Sequence, residues 1–119
     1  MRVHGDQDEA ERQGLLELLR GRGWRFYQLS RHGMGAVRHS PARADVVVLL
    51  ADPERAAAYR TVLPEPGWDV FDPREVSWCF TAGHLPTLRA ALAVLTATGE
   101  AEQASFPAPP EIRGLLSGS

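Results

Sequence analysis

Arginine carries all the positive charge of this 119-residue chain, because the sequence contains no lysine. Six of the thirteen arginines lie between Leu18 and Ala44, a segment without a single carboxylate, whereas the residues before and after it are net acidic. Guanidinium groups bind carboxylates and phosphates through paired hydrogen bonds, so this segment predicts an anion-binding surface. Its candidate binding residues are Arg20, Arg22, Arg25, Arg31, Arg38 and Arg43.

The composition of the segment narrows the class of partner. Trp24, Phe26 and Tyr27 lie among the arginines, as on many nucleic-acid surfaces, but the whole chain has a net charge of −2 and a pI near 6.1. This acidity argues against nucleic acid and favours an acidic protein partner or a small anion. In the alternative interpretation, the arginines pair with neighbouring acidic residues and only solvate the surface.

Two histidines follow predicted strands. Arg31, His32 and Gly33 come after one strand, and Gly83 and His84 lie where a later strand gives way to a helix. This pattern resembles the histidine phosphatase superfamily. The resemblance implies that His32 is the nucleophile and His84 a second pocket histidine, with phosphate clamps from Arg31 and either Arg55 or Arg38. It would make the chain a small phosphohydrolase in which a neutral imidazole attacks and arginines neutralise the developing charge.

Several function classes are excluded or disfavoured by composition. Without lysine the chain has no Walker A phosphate loop and no Schiff-base enzyme site. Its four histidines and Cys79 lack metal-ligand spacing, so we expect neither a metal nor a cofactor. The single cysteine, a polar start and the lack of a long apolar run predict a cytoplasmic protein that does not span a membrane. The absence of lysine and asparagine indicates a GC-rich, bacterial genome.

Hydrophobic periodicity and turn residues predict the elements that position these side chains. Helices are expected over residues 6–20, 52–62 and 85–96, with a short helix at 110–116. Strands are expected at 24–29, 34–38, 45–50, 68–71 and 76–81. The helix at 52–62 would connect two parallel strands, and the turn at 72–75 would form a hairpin.

This element order predicts an α+β fold: a mixed sheet of four to five strands with about three helices, mostly on one face. An α/β fold is the alternative. Residues 1–99 are expected to form a single domain, and residues 100–119 a C-terminal tail.

The helix at 85–98 carries a second apolar stripe on its back, formed by Ala90, Ala93 and Ala97. We therefore expect it to be covered on both sides, either by tail residues Ile112, Leu115 and Leu116 or by a second copy in a homodimer. The leading functional hypothesis is a non-catalytic binding or regulatory module that uses the arginine-rich segment. The small phosphohydrolase is the second hypothesis.

Overall fold

The computed structural model describes residues 3–29, 33–95 and 104–115. In chain order its elements are α1 (Val3–Gly21), β1 (Arg25–Gln28), β2 (Gly33–Ser40), β3 (Arg43–Leu50), β4 (Ala56–Val62), β5 (Glu75–Ala82), α2 (His84–Val94), β6 (Phe106–Pro107) and α3 (Pro110–Arg113). Within these ranges no helix is both long and apolar enough to cross a membrane.

The six strands form one antiparallel sheet in which spatial order equals chain order, from β1 at one edge to β6 at the other. The α+β class is confirmed. The predicted mixed sheet of four to five strands is wrong, since every pairing is antiparallel and the sheet has six strands. No helix separates β3 from β4, so the predicted parallel crossover does not exist.

The helix expected at 52–62 is instead a hairpin turn followed by β4. Oδ1 of Asp52 accepts a hydrogen bond from the Glu54 N–H at 2.9 Å, and the Arg55 N–H bonds to the Asp52 carbonyl, as in a tight turn. The three alanines of β4, residues 56–58, are buried in mid-sheet, and the small side chains of Ala56 and Ala58 let α2 pack closely on one face. Tertiary packing therefore overrides the helix propensity of alanine.

Residues 63–74 form a long loop, so the strand expected at 68–71 and the hairpin expected at 72–75 are both wrong. The loop is held to the sheet by Tyr59, whose hydroxyl donates to the Val70 carbonyl at 2.7 Å. Burial raises the pKa of Tyr59, with a further contribution from Asp69 and Asp72. A protonated, hydrogen-bonded phenol thus anchors the loop to the face of the sheet that lies opposite α1 and α2.

The first face of the sheet is covered by α1 and α2. Helix α1 buries Leu16 and Leu19 there against sheet residues such as Val47. Helix α2 buries Leu88 there, together with Leu95 at its C-terminal end. Arg89 of α2 also donates to Glu11 of α1 at 2.8 Å. The predicted amphipathic helices are thereby confirmed as the layer that covers this face.

The second face is covered by the loop and by residues 104–115. Ile112 of α3 is 1% exposed and packs with Val37, Val46 and Val76 in a separate apolar cluster. Val76 and Trp78 of β5 lie on opposite faces of the sheet although they are two residues apart, because the β4–β5 register shifts between Arg60 and Thr61.

Within the described part of the tail, residues 104–115 therefore pack on the opposite face of the sheet from α2 and do not cover the back of that helix. Ala93 and Val94 of α2 remain exposed within the described part of the chain, and Ala97 and Leu116 lie outside it. The homodimer stays a prediction.

Candidate functional site

A tight turn brings the end of α1 next to the sheet edge. The N–H groups of Arg22 and Trp24 both bond to the Leu19 carbonyl, at 2.9 and 3.2 Å, and Gly23 takes a positive φ of 92° between them. The chain therefore reverses within three residues. Arg20, in the last turn of the helix, and Arg25, in the first position of β1, are thereby both brought to this sheet edge.

A shallow groove of about 430 Å³ follows this edge. Its lining residues are Arg20, Trp24, Arg25, Phe26 and Tyr27, with no carboxylate among them. The Arg20 guanidinium lies 4.7 Å from the centroid of the Phe26 ring, and Tyr27 is 42% exposed. We call this surface the arginine groove. Its cationic groups suit the negative charges of an anionic ligand, and its aromatic groups suit contact with the ligand's main chain or aliphatic part.

The groove runs along an open edge of the sheet, because β1 pairs only with β2 within the described residues. The Leu29 N–H bonds to the Gly33 carbonyl at 2.8 Å, and this pair continues the β1–β2 register. Backbone hydrogen bonds alternate along antiparallel strands, so Tyr27 and Arg25 bond to β2 while the N–H and C=O of Phe26 point outwards. The groove therefore offers main-chain as well as side-chain contacts.

Arg38 belongs to an internal network instead of the groove. Its guanidinium donates to Oδ2 of Asp45 at 2.8 Å and to the Leu95 carbonyl. The guanidinium carbon also lies 5.6 Å from the centroid of the Trp24 ring. Arg60 binds the other oxygen of Asp45 at 2.7 Å and also reaches the Leu95 carbonyl. Asp45 is 2% exposed, so two arginines neutralise a buried carboxylate and together bind the carbonyl end of α2.

The other predicted arginines are dispersed. Arg43 lies two strands away from the groove, at the start of β3, and it has contacts of its own. Arg22 is exposed in the turn beside the groove and likewise makes contacts. Arg31, also named in the phosphatase resemblance, lies outside the described residues, as does the proposed nucleophile His32.

His84 opens α2 as the sequence predicts, but its surroundings are acidic. Its Nε2 donates to the Leu50 carbonyl at 2.9 Å, and the cavity beside it is lined by Asp8, Glu9 and Glu54. The guanidinium in that cavity is Arg12, which bonds to Glu9 at 2.6 Å. Arg55, a candidate phosphate clamp in the phosphatase resemblance, lines a different cavity. Nothing in this arrangement favours a phosphate ligand at His84.

Sequence reasoning missed the Asp45–Arg60 half of the internal network. Asp45 stands opposite Arg38 on one side and Arg60 on the other, which becomes visible only when the strand register is known. No family model matches the chain, and comparison with curated proteins and with solved structures finds no significant match.

Proposed function

We propose that this protein is a binding module that recognises an extended, acidic segment of a partner protein at the arginine groove. The observation that carries the proposal is a carboxylate-free groove, lined by Arg20 and Arg25, along an open sheet edge. Neither arginine forms an ion pair within the described residues. Their charges are therefore available to a ligand.

The backbone favours a strand-like ligand. An extended peptide laid along β1 would bond to the outward N–H and C=O of Phe26 and add a seventh strand to a sheet of six. The opposite edge is poorly suited to this role, because β6 is two residues long and one of them, Pro107, lacks an N–H donor. Among the described residues, 77–82 of β5 also pair with only one neighbouring strand, but they contain no arginine, so β1 is the edge that suits an acidic strand.

The side chains favour an acidic sequence. Successive residues of the added strand point to opposite faces, and β1 carries Arg25 on one face while Arg20 covers Phe26 on the other. Glutamates at adjacent positions of the ligand can reach a guanidinium on either side. Such rim charges set specificity and association rate through complementary potentials.

The proposal predicts salt-sensitive binding of an acidic strand-forming peptide. A fluorescently labelled peptide of four Glu-Thr repeats should bind the wild-type protein, and raising the salt from about 50 to 500 mM should weaken it at least tenfold. Arg25→Glu should weaken binding by about tenfold and the Arg20→Glu/Arg25→Glu double variant by more. Fluorescence anisotropy measures all of these affinities.

The matched control is Arg113→Glu, which makes the same charge change at an exposed position of α3. It should leave the affinity within about twofold of wild type. A peptide of four Gln-Thr repeats tests whether acidity is needed. Equal affinity for the two peptides, or tighter binding of a single-stranded oligonucleotide than of the acidic peptide, would overturn the proposal.

A further inference from the structure

A second cavity lies away from the arginine groove, where α1 meets the β3–β4 turn and the first residues of α2. It measures about 450 Å³, within the range of sites for small organic ligands. Apolar wall is supplied by Pro53, Leu85 and Pro86, and charged groups come from α1 and from the turn. The cavity thus combines an aliphatic surface with an ionic rim.

A buried imidazole without a full set of partners forms part of this wall. His84 is 7% exposed, and its Nδ1 has no hydrogen-bond partner within the described chain. The Nε2 atom carries the proton, since its partner, the Leu50 carbonyl, can only accept. Nδ1 of the neutral ring is therefore a lone-pair acceptor, and leaving such a buried group unsatisfied is costly. It calls for a donor from a ligand.

The rim of the cavity is acidic. Hydrogen bonds from Gln13 and then Arg12 lower the pKa of Glu9. Both oxygens of Glu9 are thus occupied, by Arg12 at 2.6 Å and by Gln13 at 3.0 Å. Asp8 and Glu54 have no counter-ion within the described residues. Within the part of the chain that the structure describes, two carboxylates without a counter-ion and an imidazole whose Nδ1 lacks a partner therefore line the cavity.

The beginning of α2 does not turn this cavity into an anion site. The N–H of His84 bonds to the Pro53 carbonyl, that of Thr87 bonds to the Gly83 carbonyl, and Pro86 has none. The Glu54 carboxylate lies beside the helix start, with Oε1 3.6 Å from the position of a Cβ on Gly83. This carboxylate already compensates the positive end of the helix dipole.

From these contacts we infer that the cavity at His84 binds an organic cation, a guanidinium or alkylammonium group on a short aliphatic chain. The cation would donate to Glu54, Asp8 and Nδ1 of His84, while its aliphatic part packs on Pro53 and Pro86. The same chemistry is presented by a free amine or by an arginine side chain of a partner. The inference is independent of the arginine groove and its acidic ligand.

Calorimetric titration with butylguanidinium tests the inference. Butylsulfonate, an anion with the same butyl chain, is the control ligand. The cation should bind and the sulfonate should not. Glu54→Gln, an exposed change in the turn, should weaken cation binding by about three- to tenfold. Glu65→Gln removes the same charge from the loop on the other face and should have no effect. An acetylated Gly-Arg-Gly amide, bound more tightly than butylguanidinium, would identify a partner side chain as the source; weaker binding would identify a free amine.

Nitrogen NMR of the wild-type protein gives a readout that does not depend on variants. The Nδ1 resonance of His84 should move when butylguanidinium is added, because that atom gains a hydrogen bond, and the Nε2 resonance should move less. Binding of butylsulfonate at least as tight as that of the cation, equal cation affinity in Glu54→Gln, or a fixed Nδ1 resonance at saturation would overturn the inference.

Discussion

Asp45→Ala is expected to lower the free energy of unfolding by about 3 kcal/mol, because it removes the buried carboxylate that binds both Arg38 and Arg60. The loss is largest for Arg60, whose side chain is 13% exposed, and smaller for Arg38, which is 29% exposed and can rehydrate. Both guanidiniums also bind the Leu95 carbonyl, so the end of α2 should loosen as well. Urea unfolding followed by circular dichroism measures the change.

Two further variants separate the network from a general effect of substitution. Asp72→Ala removes an exposed carboxylate from the loop and should cost under about 0.5 kcal/mol. The double variant Asp45→Ala/Arg60→Met should cost less than the sum of its single changes, because each single change already removes the same Asp45–Arg60 ion pair. A loss in Asp45→Ala no larger than that in Asp72→Ala, or strict additivity in the double variant, would show that the network contributes nothing.

Gly33→Ala is expected to destabilise the protein by about 3 kcal/mol. Gly33 has a φ of 132°, and a Cβ there would lie 2.0 Å from the Leu49 carbonyl oxygen of β3. The β1–β2 pair would have to move away from the rest of the sheet, which would also distort the arginine groove. Thermal or urea unfolding of the variant measures the loss.

The same substitution at Gly14 is the control for Gly33. Gly14 lies inside α1 with no heavy atom within 4 Å of a Cβ placed on it, so Gly14→Ala should stabilise the protein by about 0.5–1 kcal/mol. The two changes should therefore have opposite signs. A neutral Gly33→Ala variant would contradict the close contact between β2 and β3.

Strongly patterned elements were predictable from the sequence. The leucine spacing of α1 and α2 and the continuous apolar run of β3 identified each of them. For β4, the Asp-Pro-Glu turn and the alanine run carry the same signals as a helix start, and only pairing with β3 and β5 decides between them. Strand β6 has two residues, too few for a periodic signal.

The strand expected at 34–38 is confirmed as β2, although its glycines lower the local strand propensity. They argue against a strand when taken alone, yet Gly33 passes against a carbonyl of β3, and a Cβ on Gly35 would lie 2.6 Å from the Phe71 ring. Close approach across the sheet and from the loop requires glycine at both positions. That requirement is set by long-range packing, which a single sequence does not display.

The candidate site was predictable in part, since the acid-free segment contains Arg20 and Arg25, which the structure places together. The sequence analysis wrongly assigned Arg38 to the binding surface, because the acid-free segment ends at Ala44. The next residue, Asp45, is the carboxylate that the β2–β3 hairpin places opposite Arg38. The cavity at His84 combines residues from three distant parts of the chain, and no local spacing could reveal it.

Amide hydrogen exchange, followed by NMR with the Glu-Thr peptide present and absent, tests strand addition at the arginine groove most directly. The Phe26 amide points away from β2, so a saturating peptide should slow its exchange by at least about tenfold. The Tyr27 amide already bonds to β2 and should change far less. Peptide binding that leaves the Phe26 amide unchanged, or that protects residues on β5 and β6 instead, would contradict the proposed function.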